Sequence, residues 1–151
     1  MSEKMQSAFQ MSEFVVRQFV LHKPAHYEPK DRIRIGFVPT ISAWVDENNN
    51  SHNAVITLHF RLTENDSLTL IEDGNQTFAV EMIVQASFIA ASDAHKDLSE
   101  FEQMAKTAGA ATMIPIARAH MISANALFGI PSTVKIPNIN VHNIDSWVDA
   151  E

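Results

Sequence analysis

Every even-numbered position in 54–62 is apolar, and the same two-residue period runs through Phe78, Val80, Met82, Val84, Ala86 and Phe88. After Ser92 the spacing lengthens to the helical 3.6. Strand-period residues thus fill the first ninety positions and helix-period residues follow. A chain ordered in this way builds its sheet and its helices as separate blocks, the α+β class.

The strand block contains four runs. Residues 13–22 are dense in valine and phenylalanine, which suits a pleated backbone. Pro24 and Pro29 then break the pattern around Ala25, His26, Tyr27 and Glu28. In 32–45 the arginines 32 and 34 share one face and Ile33, Ile35 and Phe37 the other; Pro39 implies an edge strand or a bulge. A bulge at Gly36 or Pro39 would turn Trp44 inward. The run 46–51, Asp-Glu-Asn-Asn-Asn-Ser, reads as a turn leading into the returning strand 52–63. The fourth strand covers 77–92. Four long strands joined by short links imply an antiparallel meander or a close variant.

In the helix block, Asp97 caps a short helix with Glu100 three residues on, and Gly109 ends it. Thr112 caps a second helix, placing Pro115 in its first turn, where a missing donor costs nothing. Ile114, Ala117, Met121, Ala124 and Phe128 form its buried stripe, with Arg118 and Asn125 toward the wetter side. Gly129 and Pro131 stop it, Pro137 holds the next segment extended, and Asn143 or Asp145 caps a short last helix. Residues 1–10 are polar and without period and read as a flexible N-terminus, leaving 11–151 as a single domain.

Composition narrows the function. With 18 acidic against 11 basic residues the net charge is -7, which opposes nucleic-acid binding at long range. No uninterrupted apolar run is long enough to span a bilayer. The N-terminus lacks a signal-peptide pattern, and the absence of cysteine fits a cytoplasmic protein. The seven histidines form no ligand-spaced cluster, and no nucleophile elbow, phosphate loop or dinucleotide fingerprint is present. These observations point to a non-enzyme with no cofactor and no metal. What remains is apolar material: nine phenylalanines, two tryptophans and seven methionines. Met104, Met113 and Met121 suit either core packing or a groove that adapts to varied apolar segments.

Residues 76–141 resemble the SecB family of export chaperones. Phe78, Glu81 and Phe88 match the aromatic start, acidic residue and aromatic end of that family's fourth strand. Pro115-Ile116-Ala117-Arg118 matches its Pro-x-Ala-Arg helix signature. Gly129-Ile130-Pro131 and Ile136-Pro137-Asn138-Ile139-Asn140 match its helix stop and the strap after it. The resemblance implies a four-stranded antiparallel sheet with helices on one face. It also implies a homodimer or a dimer of dimers that holds unfolded chains or preproteins in apolar grooves without ATP and passes them to the SecA motor. Glu81 matches an acidic position used in that docking. The first strand carries Arg17, His22 and Lys23 where the family has an acidic pair, Ala119 replaces the acid after the helix arginine, and no acidic tail follows. In these respects the chain resembles the small SecB-like proteins of Gram-positive bacteria more than the proteobacterial chaperone. The expected function is an ATP-independent holding chaperone, and the alternative is a SecB-like protein dedicated to one client. Phe14, Phe19, Tyr27, Phe37 and Trp44 are the candidate groove residues, each also suited to core or dimer packing.

Overall fold

The computed structural model describes residues 9–22, 33–63, 78–91, 97–144 and 147–149. Four 13-residue strands, β1 (Gln10–His22), β2 (Arg34–Asp46), β3 (Ser51–Thr63) and β4 (Ala79–Ala91), form one antiparallel sheet. Their spatial order is β1-β4-β3-β2, with a two-residue strand β5 (Val148–Asp149) parallel to β2. A meander would put β1 beside β2, so the order is a Greek key. The connection at 23–33 can span up to ~3.5 Å per residue, ample for the roughly 14 Å of three strand spacings.

β2 and β3 pair without interruption from Arg34 opposite Thr63 to Asp46 opposite Ser51. Pro39 therefore marks an edge strand and not a bulge, and Trp44 stays on the face opposite Ile41 and Ala43. The irregularities lie in β1, at Ser12 and Arg17. Phe14 and Phe19 are five residues apart, a spacing that would put them on opposite faces of a regular strand. The extra residue at Arg17 returns both to one face, opposite Ala86 and Met82. At the β2–β3 turn, Asn50 takes φ +50°, and the Asp46 carboxylate accepts the backbone N–H groups of Asn48 and Asn49.

Helices cover the face carrying Ile56, Leu58, Phe60, Val80, Met82, Val84 and Phe88, all buried. Helix α1 (Leu98–Met104) starts on Asp97, whose side chain accepts from the Glu100 N–H at 2.7 Å. Its Phe101 is fully buried against Phe9 and His52. Phe9 also stacks on Phe88 at 5.2 Å; residues 1–8 of the expected flexible stretch lie outside the described residues. Burying one such aromatic contributes about 1.5–3 kcal/mol.

The second helix departs from the sequence expectation. Gly109 does not end α1: a π-helical turn (Ala105–Gly109) joins it directly to α2 (Ala110–Ala126). Thr112 does not cap, because its hydroxyl donates to the Ala108 carbonyl of a helix already formed. Pro115 therefore lies inside α2, not in its first turn. The glycine serves close approach to the sheet, and the wide turn re-phases the helix. Met113, Ile114, Ala117 and Met121 are buried as a stripe, but Phe128 is exposed because the chain tightens into a turn at 127–129. Asn125 is fully buried, not on the wet side. Its side-chain Nδ2 donates to the Val134 carbonyl, and its backbone carbonyl accepts the N–H groups of Phe128 and Ile130. Gly129, at φ 74°, closes this cap. Ile130, Val134 and Ile136 then seal the edge of the core. A 3-10 turn (Val141–Asn143) capped by Asn140, followed by β5, replaces the expected last helix. Asp145 lies outside the described residues.

Candidate functional site

The strand order separates the candidate residues. Phe14 and Phe19 sit on β1 at one edge of the sheet, while Phe37 and Trp44 sit on β2 at the other. Phe14 is half-buried and stacks on the His120 ring of α2 at 5.7 Å. Phe19 is half-buried opposite Met82. Phe37 is half-buried on Phe60, with ring centroids 5.2 Å apart. These three are packing residues at the rim of the core. Tyr27 lies outside the described residues. Trp44 is 44% exposed on the helix-free face.

Trp44 has company that period alone did not reveal. Val45, its neighbour, points to the helix-bearing face, where the alternation implies burial, yet it is 44% exposed. Helix α1 crosses near β2 and β3 there, and its Met104 is 38% exposed. Val38, 49% exposed, lies on the same face as Trp44. Trp44, Val38 and Val45 project from β2 itself, on its two faces, and Met104 ends the helix that passes near it. Among the described residues, β5 pairs with Thr40 and Ile41 along the outer edge of β2. In an antiparallel edge strand, alternate backbone N–H and C=O groups point away from the sheet, so the Ser42–Asp46 half of β2 offers a hydrogen-bonding ladder between apolar walls. The parallel seating of Val148–Asp149 shows that this edge accepts an extended chain.

Glu81 lies on the helix-free face but is only 7% exposed. Its two carboxylate oxygens are engaged separately, one with His59 Nε2 at 2.6 Å and the other by Arg61 Nη2 at 2.9 Å. All three residues come from adjacent strands, with Arg61 directly opposite Glu81. The carboxylate acts inside the sheet as a cross-strand tie. A second apolar feature is the end of α2, where Leu127 is 83% and Phe128 53% exposed. Among the described residues, no helix is long and apolar enough to cross a membrane.

A scan against protein-family models and a comparison with curated proteins return no match. Among solved structures, the chain is similar to the SecB-like chaperone Rv1957 of Mycobacterium tuberculosis in complex with a ChAD peptide from the HigA1 antitoxin Rv1956. The TM-score is 0.60 at 13% sequence identity, covering 91% of this chain and 95% of that one. The likeness extends over nearly the whole of both chains, and the α+β fold of this protein is SecB-like.

Proposed function

We propose that this protein is a cytoplasmic, ATP-independent holding chaperone that binds extended, apolar polypeptide segments and has no catalytic role. The observation that carries this reading is the outer edge of β2: an incompletely paired strand bordered by exposed Trp44, Val45 and Met104. An unfolded chain can add there as a strand, its backbone completing the ladder and alternate side chains entering the two walls. Phe37 lies on the same strand; Phe14 and Phe19 lie on β1 at the far side of the sheet, where they would form a separate apolar surface, and Tyr27 lies outside the described residues. The domain at 11–151 works as a homodimer or a dimer of dimers. Two features favour that assembly: β1 has no strand on its outer side among the described residues, and Pro115, Ile116, Ala119 and Ser123 give α2 an uncharged outer face.

A second reading, a SecB-like protein serving one client, is favoured by the complex of Rv1957 with an antitoxin peptide. It also suits the state of Glu81, whose carboxylate is engaged by His59 and Arg61 and is poorly placed to dock a partner such as SecA. On both readings the chain belongs with the SecB-like proteins, and its departures from the export chaperones suit the Gram-positive branch.

Aggregation of several unrelated unfolded proteins, followed by light scattering, tests the proposal. The wild-type chain suppresses it, and Val45→Asp weakens suppression without unfolding the protein. Unhindered aggregation of general clients, with a single cellular protein co-purifying, leaves the one-client reading. Equal suppression by Val45→Asp removes the β2 edge as the site.

A further inference from the structure

Arg118 is a fixed cation with no carboxylate partner among the described residues. It reaches from α2 to the strap that follows, where its Nε donates to the Ile136 carbonyl at 2.7 Å and its Nη2 to the Pro137 carbonyl at 3.0 Å. Arg61 and Lys106 each face an acidic side chain. No Asp or Glu among the described residues lies within ion-pair distance of Arg118. Two of its five N–H groups are used on neutral acceptors, so its charge is oriented but not neutralised. Such a guanidinium is pre-organised for a planar anion.

The surroundings of this cation form a ligand-sized cleft. A groove of about 340 Å³ runs between α2 and the strap, lined by Arg118, Ala111, Pro115, Asn138 and Asn140 among others. Clefts that take small ligands begin at roughly 300 Å³. Asn140 accepts the His142 N–H on its Oδ1 at 3.1 Å, which sets its amide and leaves Nδ2 to donate. Asn138 lies two residues earlier on the same wall. Opposite them, Pro115 offers no N–H to the Ala111 carbonyl, which lacks its usual helical donor. A cation, two amides and a backbone acceptor therefore converge on one groove.

We propose that this groove recognises a carboxylate carried by a polypeptide. Arg118 takes the carboxylate, while Asn138, Asn140 and the Ala111 carbonyl take the adjoining peptide groups. The site shares no residue with the β2 edge and does not depend on that reading.

The test is an NMR titration of the full ¹⁵N-labelled chain. The probes are N-acetyl trialanine as the free acid, its C-terminal amide, and an amidated tripeptide with a central aspartate. Sodium acetate and inorganic phosphate serve as peptide-free anions. Saturable shifts of the Arg118 Nε–H and of the Asn138 and Asn140 side-chain amides are expected with either acidic peptide. The free acid alone acting would specify a chain terminus, and the aspartate peptide alone a side chain. Asn138→Asp, at an exposed position, puts a competing carboxylate beside Arg118 and lowers affinity about tenfold or more, as loss of a charge-assisted contact predicts. The melting temperature checks that this variant stays folded. The proposal is overturned if the trialanine amide binds as well as the acid or acetate or phosphate saturates the same signals at equal concentration. It is equally overturned if no signal moves or Asn138→Asp binds like the wild type.

Discussion

A β-carbon on Gly109 would stand 2.9 Å from Cδ1 of Ile56. The ring of Phe88 would be 3.1 Å away, and both neighbours are fully buried. The helix backbone therefore rests on the sheet at this point. Gly109→Ala gains about 1 kcal/mol of helix propensity but overpacks a filled core, at about 1–3 kcal/mol. Net destabilisation of up to roughly 2 kcal/mol is expected by urea denaturation. A neutral or stabilising effect would show that the helix can lift off the sheet.

Pro115 makes the opposite prediction. An interior proline costs a helix about 3 kcal/mol relative to alanine, part of which the relaxed backbone around it already avoids. Pro115→Ala restores a donor to the Ala111 carbonyl and raises stability by about 1–2 kcal/mol. Thermal unfolding followed by circular dichroism measures this, and a lower melting temperature would contradict it.

Glu81 of β4 ties His59 and Arg61 of β3 into one cluster. Glu81→Ala leaves Arg61 and His59, about one-third exposed, to be solvated by water, so the cost is about 1–3 kcal/mol and not the larger value of a sealed ion pair. In a double-mutant cycle with Arg61→Ala, the coupling energy is expected to be positive and below that cost. Additive effects would mean that the contact contributes nothing to folding.

The strands were legible because burial on one face writes a two-residue period into 54–62 and 78–88. Their order was not, since Val, Leu and Phe on β1 would serve equally well beside β2 or β4. The bulge at Arg17 was hidden for a related reason: it repairs the phase between Phe14 and Phe19 without leaving a glycine or proline as a marker. In the helix block, Gly109 and Pro115 each have two meanings. Read locally they end one helix and begin another. In the fold, the first is a contact surface and the second an interior residue, which only the sheet beneath can decide. At the site, Trp44 could be nominated from sequence, but Val45 and Met104 could not. Their exposure follows from where the short α1 stops over β2.

Trp44 supplies an internal reporter. Its indole is 44% exposed, whereas Trp147 packs against the core. In a Trp147→Phe background, adding an unfolded polypeptide should shift the emission to shorter wavelength as the indole leaves water. Unchanged emission while client is demonstrably bound would place binding elsewhere.

The outer face of α2 is testable by size. Ile116 and Ala119 lie on that face beside His120. Ile116→Glu introduces a charge that any helix-to-helix seam must desolvate, at several kcal/mol. Light scattering after size exclusion is expected to give two or four chains for the wild type, and a smaller particle for the variant if four. A wild-type monomer would remove the assembly altogether.

The five-residue turn at 105–109 also fixes how this chain tolerates changes in length. Each residue of an α-helix advances the side chains by about 100°, so removing one residue there would regularise the helix yet rotate Met113, Ala117 and Met121 away from the sheet. This segment cannot lose a single position without that rotation. A deletion scan across the chain should therefore find one of its sharpest intolerances at residues 105–109, which line neither proposed binding surface.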